Sequence, residues 1–132
     1  MMKYIFDTNI CIYIINNKYS NIIKKMEQIG YEEIAISSIS IAELEYGVIN
    51  SAQYERNKEA LNQFLVPFEI LDFNSECAEY YGYIRKQIKK NIIGTMDLLI
   101  ASIALVNNLI LVTNNEKEFS RINGLKIENW IK

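Results

Sequence analysis

Residues 4–16 read YIFDTNICIYIIN. Tyr4-Ile5-Phe6 is a run of strand-favouring residues, apolar at every position rather than at alternate ones, which is how a strand covered on both faces reads. It stops at Asp7, and from Thr8 to Asn16 the apolar residues recur at helical spacing. The rest of the chain alternates in the same way. Ser20 is positioned to cap a helix over Asn21–Ile29 that Gly30 ends. Glu33–Ser37 is a second strand, followed by a helix near Ser40–Asn50 whose start, Ser40-x-x-Glu43, fits a capping box. Gln53–Val66 forms a helix closed by Pro67, and Phe68–Phe73 a third strand. A long helix over Ser75 to about Asn91, a loop at Gly94 and a helix from about Asp97 to Asn107 come next. Leu109–Val112 and Lys126–Glu128 supply two more strands, with a short helix at Glu116–Ile122 between them. Such alternation implies an α/β fold: a parallel sheet with helices on both faces, right-handed crossovers, and ligands bound beyond the carboxyl ends of the strands.

Composition narrows the chemistry. The chain has 132 residues, the size of one domain, and is 50% hydrophobic and 23% charged, the profile of a soluble globular protein. Fourteen Lys and Arg stand against sixteen Asp and Glu for a net charge of −2, so no basic footprint for nucleic acid covers the whole chain. Histidine is absent, which excludes Ser-His-Asp and Cys-His nucleophiles, a histidine base and histidine-bearing zinc sites. Cys11 and Cys77 lie far apart with no CxxC, which speaks against a metal or redox motif and leaves two readings, small buried hydrophobes or a disulfide, of which the first is expected. The longest apolar stretch, Leu98–Val106, is too short to span a bilayer, and the N-terminus meets an acid too early for a signal peptide, so the cytoplasm is the expected compartment.

Acids are distributed unevenly: thirteen are Glu and three are Asp, namely Asp7, Asp72 and Asp97, each with apolar neighbours in sequence. Asp7 ends the first strand, where it either caps the following helix or belongs to a site. Glu43 sits in the apolar turn IAEL, as a capping partner or a ligand, with Gly47 leaving room on the same helix face; Glu45 points away and is expected in solvent. Asp97 opens LLIASIALV, a helix apolar nearly all round, as a partner of the helix dipole or as a site acid. Glu116 and Glu118 follow the strand LILV and the turn Thr113-Asn114-Asn115. Four acids thus gather near one sheet edge with few cations beside them. Clustered carboxylates repel, and must bind protons or a hard divalent cation such as Mg²⁺ or Mn²⁺. A divalent cation beside phosphate and water promotes phosphodiester hydrolysis without histidine.

FDTNICIYI, SISIAELEYG, GTMDLLIASIAL, LVTNNEKEF and GLKIENW resemble, in order and nearly end to end, the successive motifs of PIN-domain proteins, most nearly the VapC toxins of type II toxin–antitoxin modules. The resemblance implies a single PIN domain over residues 1–132, a three-layer α/β/α sandwich on a five-stranded parallel sheet of order 3-2-1-4-5. It implies a Mg²⁺-dependent endoribonuclease, with Mn²⁺ able to substitute, cleaving structured RNA, by analogy tRNA, and so inhibiting translation. A homodimer, higher toxin–antitoxin oligomers and a VapB-type antitoxin whose C-terminal segment lies over the active site are implied as well. Carried over by motif, the catalytic and metal-binding acids fall on Asp7, Glu43 and Asp97. Many PIN domains have an aspartate where this chain has Asn115. A VTNN turn with an acid just before phenylalanine also occurs, which makes Glu118 the fourth acid and Glu116 the alternative. Asn115, without charge, would orient water or phosphate, while Asn9 and Thr113 support the site through hydrogen bonds.

Arg85, Lys86, Lys89 and Lys90 bring four positive charges close together, either as a solvated helix face or as an RNA phosphate patch that Lys24-Lys25 would extend. Of the nearby Tyr80, Tyr81 and Tyr83, one or two could stack on unpaired bases. Three rivals carry different chemistry. A catalytically inactive PIN fold would only bind RNA. An aspartyl phosphatase of the haloacid-dehalogenase pattern wants an acid where Asn9 stands. A phospho-accepting receiver would use Asp72, but lacks the acid pair after strand one and the lysine after strand five. The low overall charge predicts modest non-specific RNA affinity and a shallow salt dependence.

Overall fold

In the computed structural model, residues 1–88 and 93–132 are described. β1 (Tyr4–Phe6) leads through Asp7 into α1 (Thr8–Ile15). α2 (Ser20–Ile29) follows, with Tyr19 rather than Ser20 at its N-cap and no side-chain capping bond. It stops at Gly30, whose φ of +100° is one that side chains rarely adopt. β2 (Ile34–Ser37) runs straight into α3 (Ser38–Ile49), then come α4 (Tyr54–Leu65) and β3 (Glu69–Leu71), shorter than the Phe68–Phe73 expected. α5 (Ser75–Gln87) and α6 (Thr95–Val106) lead to β4 (Ile110–Val112); α7 (Glu116–Phe119) and β5 (Ile127–Glu128) complete the order. The expected continuation of α5 to Asn91 enters residues outside those described.

All five strands are parallel, in the order β3-β2-β1-β4-β5. β1 is therefore the strand from which the chain builds first to one side and then to the other, and its carboxyl end is where such sheets bind ligands. Register explains why the central strands β1 and β4 are apolar throughout. Tyr4 pairs with Ile34 and Ile110, and Phe6 with Ile36 and Val112; these face one helical layer with Leu44, Val48 and Leu61. Ile5, Ala35 and Leu111 face the other, packed on Cys77, Ile84 and α6. Burying side chains of this size contributes roughly 1.5–3 kcal/mol each. Cys11 and Cys77, both free and buried, lie in opposite layers.

α6 is buried nearly all round, as its sequence requires, and its buried hydroxyl, Ser102 Oγ, donates to Leu98 O at 2.7 Å. Past β5, Trp130 plugs the first layer edge-on to Tyr4 and Phe6, with ring centroids 5.2 and 5.5 Å away. No helix among the described residues is long and apolar enough to cross a membrane.

Candidate active site

β1 delivers Asp7 to the carboxyl edge, and the helix that follows explains why an acid stands there. Asp7 Oδ1 accepts from Ile10 N at 2.9 Å, capping α1. The other oxygen, Oδ2, accepts a short hydrogen bond from the hydroxyl of Thr113, the residue that follows β4. Asp7 is thus both a cap and a buried acid, only 4% exposed. Burial raises its pKa above the ordinary carboxylate range; the Thr113 and Ile10 hydrogen bonds oppose that rise and the Glu43 charge adds to it.

Glu43 arrives from α3, and not as a capping partner. The cap of α3 is Ser37, whose Oγ accepts from Ser40 N at 3.0 Å, three residues earlier than the expected box. β2 passes into the helix without a loop, so the cap falls on the last strand residue. Ser40 and Glu43 are thereby released toward α1. Thr8 Oγ1 donates to Glu43 Oε1 at 2.5 Å and lies 3.0 Å from Ser40 Oγ. Having given its proton to Glu43, Thr8 accepts from Ser40.

Asp97 lies in the first turn of α6, half-buried. A carboxylate held chiefly by the helix dipole would have a lowered pKa. Asp97 is instead pushed up to about 6, first by burial and then by the charges of Asp7, Glu43 and Glu118. Four carboxylates from four elements therefore share one field.

The β4–α7 turn completes the wall. Asn115 N donates to Thr113 Oγ1 at 2.9 Å, and Asn115 Nδ2 donates to Glu118 Oε2 at 2.9 Å. Asn115 thus holds Glu118, a role beyond the expected orienting of water or phosphate. Glu116 turns away: its Oε2 accepts from Asn129 Nδ2 at 2.9 Å and pairs with Lys132 Nζ at 2.7 Å, and these partners lower its pKa.

A cleft of about 570 Å³ opens here, with Asp7, Thr8, Asn9, Glu43, Asp97 and Asn115 in its wall. Ile12, Tyr46 and Met96 form an apolar rim. Glu118 does not itself line the cleft and reaches it through its bond to Asn115. Among the described residues no Lys or Arg lines the cleft, and the ion pairs are Lys58–Glu45 and Lys132–Glu116, neither of which touches Asp7, Glu43, Asp97 or Glu118. The donor set is oxygen-only, negative and uncompensated among the described residues, which suits a hard divalent cation. Among the described residues no three acidic or thiol side chains converge tightly enough to enclose an ion. Mg²⁺ does not require that: it keeps several waters and takes one or two carboxylates.

The remaining sequence candidates lie elsewhere. Arg85 and Lys86 are exposed and do not line the cleft; the Arg85 guanidinium sits 5.9 Å over the Tyr81 ring, with Nη1 2.8 Å from its hydroxyl. Lys89 and Lys90 fall outside the described residues. Lys25 borders a separate hollow beside Trp130 and Lys132. Asp72 is exposed at the end of the edge strand β3, so an apolar sequence neighbourhood misjudged it, and the receiver reading loses its acceptor. Glu45 is paired with Lys58 rather than free in solvent. Sequence reasoning missed the Thr8–Ser40 link to Glu43; the Ser37-x-x-Ser40 spacing, itself a cap pattern, was the available signal.

A model of the PIN domain family matches residues 4–125. Ribonuclease VapC2 of Rickettsia felis is 48% identical over 99% of this chain and 100% of its own length. The tRNA(fMet)-specific endonuclease VapC of Shigella flexneri is 36% identical over 98% of this chain and 99% of its own. Among solved structures, a DNA-bound VapBC from Salmonella typhimurium matches with a TM-score of 0.93 at 38% identity, covering 98% of this chain and 99% of that one.

Proposed function

The chain belongs to the PIN domain family, and from that premise we propose that it is a Mg²⁺-dependent endoribonuclease, the toxic component of a type II toxin–antitoxin module. The observation that carries the proposal is the acidic cleft at the carboxyl edge of β1, lined by no Lys or Arg among the described residues, where burial and three neighbouring carboxylates push Asp97 up to about 6. Groups so placed gain most from a divalent cation.

Asp7 and Asp97 are proposed as the principal metal ligands, with Glu43 and Glu118 completing the acidic set. Mn²⁺ should substitute for Mg²⁺, since both take oxygen ligands. When bound, the cation supplies charge neutralisation at the attacking and leaving oxygens of a phosphodiester and lowers the pKa of water. The protein's own part is positioning. Thr113 and Ile10 N–H fix the Asp7 carboxylate, Thr8 fixes Glu43, and Asn115 fixes Glu118. Asn9, exposed on the cleft wall, is free to donate to phosphate or water. Arg85 and Lys86, with Lys89 and Lys90 beside them in sequence, are proposed to meet the RNA backbone.

The names of relatives support tRNA as the substrate class and a VapB-type antitoxin as the partner. A single domain over residues 1–132, acting in the cytoplasm as a homodimer and within a larger toxin–antitoxin oligomer, completes the proposal. A second reading, an inactive RNA-binding domain of the same fold, is favoured by the absence of three convergent acids among the described residues. Induced expression in a bacterium, with sequencing of new RNA 5′ ends, separates the two. Wild type should arrest growth and generate discrete new ends, and Asp7→Ala should do neither. New ends at equal abundance with Asp7→Ala would remove Asp7 from the site.

A further inference from the structure

Asn115, in the cleft wall, belongs to the turn between β4 and α7, residues 113–118, which contains little regular structure. α7 is four residues long, and Asn115 at its N-cap makes no side-chain capping bond. Yet this turn carries two of the links that fix the acids, Thr113 to Asp7 and Asn115 to Glu118. Buried Phe119 holds the far end of the turn, with its N–H on Asn115 O at 3.3 Å, and residues 128–132 hold the near end. Glu128 O accepts from Thr113 N at 2.9 Å. Asn129 Nδ2 donates to Asn114 Oδ1 at 3.0 Å and to Glu116 Oε2 at 2.9 Å, the residues on either side of Asn115. An amide nitrogen carries two hydrogens, so both bonds are made at once.

Asn129 is itself anchored. Its Oδ1 accepts from Ile131 N at 3.0 Å, Ile131 O accepts from Asn21 Nδ2 of α2, and Trp130 is buried against Tyr4 and Phe6. Lys132 also reaches Glu116, but its side chain is 74% exposed, and an exposed pair of this kind fixes little. We infer that Asn129 is a positioning residue of the acidic site: it clamps Asn114 and Glu116 from outside, so that Asn115 keeps the Glu118 carboxylate and the Thr113 hydroxyl in register with Asp7. The inference rests on the proposed nuclease reading only in taking these acids as the working groups.

Asn129→Ala and Asn129→Asp, both of which lose the two donors, test it alongside Lys132→Ala in the full chain. Amide hydrogen exchange reads the clamp directly. Exchange at the Asn115 N–H should accelerate on the order of tenfold or more in both Asn129 variants and stay near wild type in Lys132→Ala. In RNA cleavage, the Asn129 variants should lose about 10–100-fold in kcat and need more Mg²⁺ for half-maximal rate, at unchanged KM. Faster Asn115 exchange in the Asn129 variants of a wild-type chain that does not cleave RNA would retain the clamp and defeat the nuclease reading. A cleaving wild type matched by Asn129→Ala in kcat, Mg²⁺ requirement and Asn115 exchange would overturn the clamp alone. A lowered Tm with those three quantities unchanged would reduce Asn129 to a structural role.

Discussion

Asp7 and Asp97 are acids in places where acids cost stability, and they differ in what offsets that cost. Asp7 is buried but has a bond to each oxygen. Asp97 has neighbours of its own sign. Its carboxyl titrates at about 6 in the folded chain against an ordinary 3.8, so the folded state holds the proton more tightly than the unfolded state. Ionising it therefore removes stability progressively between about pH 4 and 6, and the full penalty remains above that window. Because Asp97 is only half-buried, solvent screening leaves about 1–2 kcal/mol of the effect. Asp97→Asn should raise the metal-free Tm by a few degrees at pH 7.5 and leave it nearly unchanged at pH 4, measured by thermal unfolding in EDTA. A lower Tm at pH 7.5 would mean that Asp97 is stabilising where it stands. A residue kept at the expense of stability is the usual sign of a functional site.

α6 and β1 could be read from sequence because burial leaves little choice: a helix apolar on all sides must be enclosed, and a run like YIF must be covered twice. The edge that collects Asp7, Glu43 and Asp97 followed from that alternation. Two local features did not follow. The start of α3 depends on where β2 ends, and Ser37 and Ser40 offer the same hydroxyl three residues before a helical N–H. Pattern alone cannot choose between them; the chain passes from strand to helix without a loop, and that selects Ser37. Glu116 and Glu118 lie on one short helix, and what separates them is remote in sequence, namely Asn129 and Lys132 on one and the Asp97 field on the other. Helix interiors yield a test of the packing as well. A Cβ at Gly82, in the middle of α5, would meet nothing within 4 Å. Gly82→Ala should stabilise the chain by about 0.5–1 kcal/mol in denaturant unfolding, with RNA cleavage unchanged. Destabilisation would show that the α5 face is covered in solution.

Across the chain, a net charge of −2 conceals a separation of signs. Acids with no cationic partner among the described residues gather in the cleft, while Arg85 and Lys86 are exposed and do not line it. RNA binding without Mg²⁺ should therefore be weak and only shallowly dependent on salt, with few phosphates neutralised. A steep fall of log K with log salt would reveal phosphate contacts beyond the Arg85–Lys90 segment. Charge also decides how the cleft can hold a phosphodiester at all, since an acidic wall repels it unless a cation intervenes. The decisive measurement is the rate of tRNA cleavage by the purified chain across a Mg²⁺ titration, run beside Asp97→Asn. Wild type should be inactive in EDTA and rise saturably with Mg²⁺, and Asp97→Asn should be about 100-fold slower or worse at every concentration. Undiminished cleavage in EDTA, or by Asp97→Asn, would contradict a metal-dependent nuclease centred on this cleft.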